Sequence, residues 1–259
     1  MGSKLGARVE RYLQQRALTR WSRLAETAES LDLARLRALH GPARALKQQV
    51  DRVLRIAEGR LATGGSAADT GGIPRAARAD WAWRPEAWRE PLTVPGRAGV
   101  ETRTEIGPGL TLHHDCAASE VTLRQIRNRS AADPAPFGLK IDVFGFDGSF
   151  LSLAVELPAA AVEGLRNRHL MRLDAVIETE RPLEIFARLN LKHGPNVEQT
   201  VRELQRGGGE VMVEFDLAYM KLNGTRVERI WVDLIFEGPE MNRITLGDLA
   251  FCRRPRAEL

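Results

Sequence analysis

The residues best suited to do chemistry fall in two short runs. Glu214-Phe215-Asp216-Leu217-Ala218-Tyr219 carries the first two acids of an E-x-D-x-x-E strand pattern. In that pattern paired carboxylates flank a glycosidic bond, one as nucleophile and one as acid/base. Tyr219 stands where the second glutamate belongs, so the general acid has no source and glycoside hydrolysis is not expected. His113-His114-Asp115-Cys116 is rich in metal-ligating types. Adjacent residues on a strand point to opposite faces, so at most two of the four aim at one ion. No G-x-S-x-G elbow, phosphate-binding loop or dinucleotide fingerprint occurs. The sequence therefore predicts no catalytic residue, no metal site and no cofactor.

Binding is what remains, and it depends on strands. From about Gly109 onward the apolar period is two. Strands are expected at Gly109–His113, Leu170–Glu178, Leu183–Lys192, Glu210–Tyr219, Arg229–Glu237 and Arg243–Cys252. Ile141–Phe146 and Ser149–Leu157, separated by Asp147-Gly148, read as a hairpin, because Asp-Gly suits a two-residue turn. Short helices are expected near Pro158–Asn167 and Asn196–Gln205. The gaps are too short for a crossover helix after each strand, so the pattern predicts a mainly β, antiparallel jelly-roll sandwich.

Alternation also assigns faces. Met171, Leu173, Ala175 and Ile177 share one face, as do Ile185, Ala187, Leu189 and Leu191, and Ile230, Val232, Leu234 and Phe236. If these strands share a sheet, the opposite faces form one wall. That wall would carry Arg172, Asp174, Phe186, Arg188, Asn190, Lys192, Glu214, Asp216, Trp231 and Asp233. Donors, acceptors and aromatic rings together suit a sugar or polyol. The plain alternative is a solvated sheet face laced with cross-strand ion pairs.

The first 62 residues differ in kind. They hold 13 Lys and Arg against 6 Asp and Glu, in a chain of 259 residues with a formal net charge of +4. Leu36, Leu39, Ala43, Leu46, Val50, Val53 and Ala57 are spaced by three and four, as in a helical hairpin or coiled coil. Gly41-Pro42 should kink or break this helix, and Ser30 or Asp32 should cap it. Residues 63–80, rich in Gly and Ala, read as a flexible linker between a basic helical arm (1–62) and the sandwich (81–259). Trp81, Trp83 and Trp88 follow at once and are expected to pin the connecting segment onto a sheet. The arm offers two kinds of partner: a second copy through residues 1–62, or nucleic acid or an anionic membrane through its charge. Two cysteines, no apolar run long enough for a membrane span and no apolar signal-like segment predict a cytoplasmic protein.

The runs WRPEAWREPL (83–92), FGLKIDVFGFDGSFL (137–151), IFARLNLKHGPN (185–196) and WVDLIFEGPEMN (231–242) resemble an uncharacterised family of alphaproteobacterial, Rhodobacter-type proteins over about residues 80–259. That resemblance brings no catalytic residues with it. The closing stretch WVDLIFEGPEMNRITLGDLAFCRR is similar to the last two strands of jelly-roll, carbohydrate-binding-like modules, a likeness of fold. Together these readings predict a non-catalytic module with a saccharide-like ligand on a polar sheet face. The alternative is an oligomeric scaffold whose basic arm contacts a partner protein or an anionic surface.

Overall fold

The computed structural model describes residues 4–62, 78–128, 130, 133–204, 209–220 and 227–256. Most of the expected linker, 63–77, lies outside the described residues. The chain divides into two compact units, Met1–Val53 and Leu54–Leu259.

Helices α1 (Lys4–Thr27) and α2 (Leu33–Ala62) make up the N-terminal stretch, joined through a 3-10 turn at Ala28–Ser30. Asp32 caps α2: its Oδ1 accepts from the backbone N of Arg35 at 2.8 Å. The helix runs on through Pro42 without the expected break. Proline deprives only the Ala38 carbonyl of its intrahelical donor, and Ala38 is an exposed residue. Leu36, Leu39 and Ala43 of the predicted stripe are half-buried, whereas Leu46, Val50 and Val53 are exposed. The Ala57 side chain lies outside the description.

Strands, numbered in chain order, form two antiparallel sheets among the described residues. One runs β11 (Gly209–Asp216), β8 (His169–Thr179), β13 (Asn242–Pro255), β6 (Phe137–Val143), β5 (Val121–Arg127), β2 (Gly96–Ala98). Beside β6, β1 (Trp81–Trp83) pairs the later half of β13. The other runs β10 (Asn196–Leu204), β9 (Glu184–His193), β12 (Arg229–Glu237), β7 (Leu151–Glu156), β4 (Leu110–His114), β3 (Thr104–Gly107). The predicted antiparallel sandwich is therefore present, and its two apolar faces meet in one core that includes Leu139, Leu153, Leu189, Val232 and Leu246.

Three local expectations fail. β6 and β7 do not form a hairpin; they belong to opposite sheets, and residues 144–150 carry the chain across. Asp147 and Gly148 instead lock this crossing to residues 115–117. The Asp147 Oδ1 accepts from Ala117 N, and a Cβ on Gly148 would lie 2.6 Å from Asp115 Oδ1. Residues 196–204 are strand β10 instead of a helix, because edge strands are polar on both sides and lose the two-residue period. The helix near Pro158–Asn167 shrinks to a 3-10 turn at Ala159–Ala161.

The tryptophans pin the entry segment, as expected. Trp81 and Trp83 stack at 6.5 Å, and Trp83 meets Phe251 at 5.9 Å. Trp88 is buried on the short helix α3 (Glu86–Arg89), where its Nε1 donates to the Leu246 carbonyl at 3.0 Å. That carbonyl sits where β13 bulges between Leu246 and Asp248. Asn128 Nδ2 donates to the Gly247 carbonyl at 2.8 Å, and Arg84 clasps Asp248 through Nε and Nη2 at 2.8 and 2.9 Å. Both Arg84 and Asp248 are buried. Burial pushes the Asp248 carboxyl up, and Arg84 draws it only partly back.

Removing one partner of a buried pair strands the other charge. Arg84→Met is expected to cost about 3–5 kcal/mol in denaturant unfolding, and adding Asp248→Leu should restore much of it. An unchanged unfolding midpoint for Arg84→Met would remove this pair from the fold's supports. A second prediction concerns buried His169. Its Nδ1 accepts from the Arg166 backbone N at 2.9 Å, which requires a neutral ring. Burial holds its pKa below the ordinary 6.5, against the nearby Asp80 carboxylate. The unfolded chain therefore takes up this proton first. The contribution is whole above about 6.5 and shrinks as the pH falls. Thermal unfolding at about pH 7.5 and 5.5 should show a larger loss on acidification for the natural chain than for His169→Gln.

Candidate functional site

The ten residues of the predicted wall divide between the sheets. Arg172 and Asp174 on β8, with Glu214 and Asp216 on β11, belong to the seven-stranded sheet. Phe186, Arg188, Asn190 and Lys192 on β9, with Trp231 and Asp233 on β12, belong to the six-stranded sheet. In both sheets the apolar residues between them face the shared core. The two polar sets thus look out from opposite sides of the sandwich, and the single wall does not form. The alternation was right; the assumption that all four strands share a sheet was not.

On the seven-stranded side the polar groups neutralise one another. Arg172 holds Asp174 through Nε at 2.9 and 3.0 Å. Arg254 grips Glu214 through Nη2 at 3.0 Å, and Arg256 reaches Asp216 at 3.3 Å. Asp216 also accepts from Ala218 N at 3.0 Å, which caps the 3-10 turn Leu217–Tyr219 that ends β11. Both carboxylates of the E-x-D run are therefore engaged by arginines. This side matches the ladder of cross-strand ion pairs that sheets commonly carry.

The six-stranded side is organised differently. Asp233 lies across from Arg188, and Asn190 across from Trp231. Although they point away from the core, Asn190 is 0% and Asp233 6% exposed. Arg188 donates to Asp233 Oδ2 through Nε at 3.0 Å and Nη2 at 2.9 Å. Asn190 Nδ2 donates to the same oxygen at 3.0 Å. Its Oδ1 accepts from Gln199 Nε2 on β10 at 2.8 Å. A continuous chain Gln199, Asn190, Asp233, Arg188 thus crosses three strands. Beside it Trp231 is half-buried, with the Arg229 guanidinium over its ring at 5.1 Å and Glu156 directly across on β7. Arg229 also pairs Glu156 at 2.6 Å. Further along the same face, Asp233 and Ile235 sit opposite Ala154 and Ser152 of β7, so the floor beside them is small-chained. Lys192 stands at the margin, 3.9 Å from Glu228.

Gln199, Glu156 and Arg229 were missed by sequence reasoning. Arg229 shares the parity of Trp231 and follows from the same alternation, two residues earlier. Glu156 lay in a strand whose faces were not assigned. Gln199 had no signal, since its segment lacks a period of two.

The ligand-rich run 113–116 is dispersed. His114 is buried, with Nε2 at 2.7 Å from the Val100 carbonyl and Nδ1 accepting from Cys116 N at 3.2 Å, so both ring nitrogens are taken by the backbone. Asp115 accepts from Ser149 N at 2.7 Å and Phe150 N at 3.2 Å. Among the described residues no group of three His, Cys, Asp or Glu is placed to hold a metal. No helix among them is long and apolar enough to cross a membrane.

A family described as "Family of unknown function (DUF6478)" matches residues 1–259. The chain belongs to this family. Membership covers the helical arm as well as the sandwich, whereas the resemblance read from sequence began near residue 80. No curated protein matches the sequence. Several solved structures are similar at low identity. The enzymatically active domain of bacteriophage CBA120 tailspike protein 4 aligns with 55% of this chain at TM-score 0.41 and 7% identity. This chain spans only 19% of the tailspike chain. The family 11 carbohydrate-binding module of Clostridium thermocellum, solved with a β-1,3-1,4-mixed-linked tetrasaccharide, aligns over 64% of this chain and 100% of its own at TM-score 0.39 and 12% identity. The CBM22-1 xylan-binding domain of Paenibacillus barcinonensis Xyn10C aligns over 71% and 100% at TM-score 0.35 and 8% identity. None of these likenesses transfers a ligand or an activity to this DUF6478 chain.

The loop lock gives a prediction for the half-exposed Cys116. Its Sγ donates to Asp147 Oδ1 at 2.6 Å. Desolvation first, then the Asp147 carboxylate, push its thiol pKa up. Ellman's reagent should therefore modify Cys116 slowly at neutral pH. Asp147→Asn should move the pH–rate profile to lower pH; a profile that does not move would contradict the assigned hydrogen bond.

Proposed function

We propose that this protein is a non-catalytic binding module whose six-stranded sheet takes a saccharide-like ligand on its outer face. The observation that carries this reading is the buried chain Asn190–Asp233 beneath Arg188 and Gln199. Ordering a polar side chain on binding costs affinity, so groups already fixed from below bind better than free ones. Asp233 takes Nε and Nη2 of Arg188, which leaves Nη1 for a ligand oxygen. Asn190 takes Nε2 of Gln199, which leaves the amide oxygen as an acceptor. A guanidinium donor and an amide acceptor held by one hydrogen-bonded chain suit the hydroxyls of a ligand, which both donate and accept. Phe186 and Trp231 add apolar surface for the faces of a sugar ring. One face of the Trp231 ring is covered by Arg229, so stacking uses the other face or displaces that guanidinium.

Of the sequence-derived site, Phe186, Arg188, Asn190, Lys192, Trp231 and Asp233 remain, joined by Gln199, Glu156 and Arg229. Arg172, Asp174, Glu214 and Asp216 are on the other side of the sandwich and are left out.

A glycan array probed with the full chain, followed by titration calorimetry on the best glycan, tests the reading. Gln199→Ala and Trp231→Ala should each weaken binding by about tenfold or more. Arg172→Ala, on the opposite side, should leave it unchanged. Absence of binding to any glycan, or equal weakening by Arg172→Ala, would overturn the assignment.

A further inference from the structure

The arginines of α1 differ from those of the strands. On the sheets Arg172, Arg188, Arg229, Arg243 and Arg254 each meet a carboxylate. Arg16, Arg20 and Arg23 are exposed and meet none among the described residues. They fall in one stripe with Tyr12, spaced by four, four and three residues, and so lie along one side of the helix. The adjoining stripe is Leu13, Ala17, Arg20 and Leu24. Tyr12 is 64% and Leu13 57% exposed. Gln15, Ala17 and Thr19 between them are exposed as well, so this side of the helix is open to solvent. Uncompensated positive charge and unburied apolar surface thus share one side of α1.

We propose that this face of α1 docks on an anionic lipid surface. Charge selects the partner. A second copy of the chain would bring the same arginines against one another, and like charges repel. Nucleic acid would neutralise the arginines but leave Tyr12 and Leu13 in water. An anionic bilayer accepts both sets: apolar side chains enter the boundary of the acyl region, and long arginines reach the phosphates with their guanidinium ends. The ligand chemistry is a lipid phosphate or carboxylate headgroup at a surface, not a free anion, because the apolar stripe needs somewhere to go.

Co-sedimentation of the full chain with phosphatidylcholine vesicles, with and without phosphatidylserine, tests this. The chain should pellet with the phosphatidylserine vesicles and stay in solution with the neutral ones, and high salt should release it. Arg16→Gln, Arg20→Gln and Arg23→Gln together should lower the partition coefficient about a hundredfold. Lysine at the same three positions keeps the charge and should keep the binding. Tyr12→Ser with Leu13→Ser should also weaken it severalfold, and circular dichroism confirms that helix content is unchanged. These results would overturn the proposal: no pelleting with either vesicle, pelleting indifferent to the glutamine changes, or tighter binding to duplex DNA that ignores the Tyr12 and Leu13 changes. Sedimentation showing that the glutamine changes dissolve a dimer without altering vesicle binding counts with these.

Discussion

The bulge in β13 is the point at which the seven-stranded sheet must be satisfied from outside itself. Before it, β13 pairs with β6; after it, with β1; on the other side it pairs with β8 from Ile244 to Pro255, across the bulge. A shift of register turns ladder groups away from their partners, and buried backbone groups without partners are costly. Here the Leu246 and Gly247 carbonyls are supplied by the side chains of Trp88 and Asn128, and the buried Asp248 carboxylate that follows is met by Arg84. Glycine at 247 also keeps the strand clear of Val176, whose Cγ1 would be 3.3 Å from an added Cβ. Segment 78–92 is thus the part that lets one strand serve two neighbours. Asp80 completes the junction by pairing Arg253, whose Nη1 also donates to the carbonyls of Ala161 and Glu163.

The two broad sides of the sandwich show what the same residue types do in different settings. On one side Arg172, Arg254 and Arg256 each find a nearby acid, and the charges close on themselves. On the other, Arg188 finds an acid that is itself buried and shared with Asn190. A carboxylate shared by two side-chain donors ties both into one network across strands, whereas on the other side each acid is held by its own arginine. That difference, rather than composition, separates a supporting face from a candidate binding face.

Much of this was legible in the residues. β12 was placed with its observed bounds, and β8, β9 and β13 were placed within a few residues, because their apolar members alternate cleanly. The cap at Asp32 and the pinning role of Trp81, Trp83 and Trp88 were also readable. What alternation cannot supply is which strand lies beside which. β8 and β9 follow one another through Arg181-Pro182, yet belong to different sheets, and nothing local in either strand records this. The Asp147-Gly148 turn failed for the same reason: its residues suit a tight reversal, but Asp115 and Cys116, some thirty residues earlier, decide what it is used for. The candidate site inherited the error, since four of its ten members were carried to the wrong side.

β12 and β13, the last two strands in chain order, each occupy an interior position, β12 between β9 and β7 and β13 between β8 and β6. On a ribosome, everything made earlier therefore waits as separate ribbons with open edges until residues 229–255 emerge. Nascent chains in that condition are attractive to chaperones and to one another. Synthesis that stalls before residue 229 leaves no partial sandwich, only the unpaired margins that the final strands were to join.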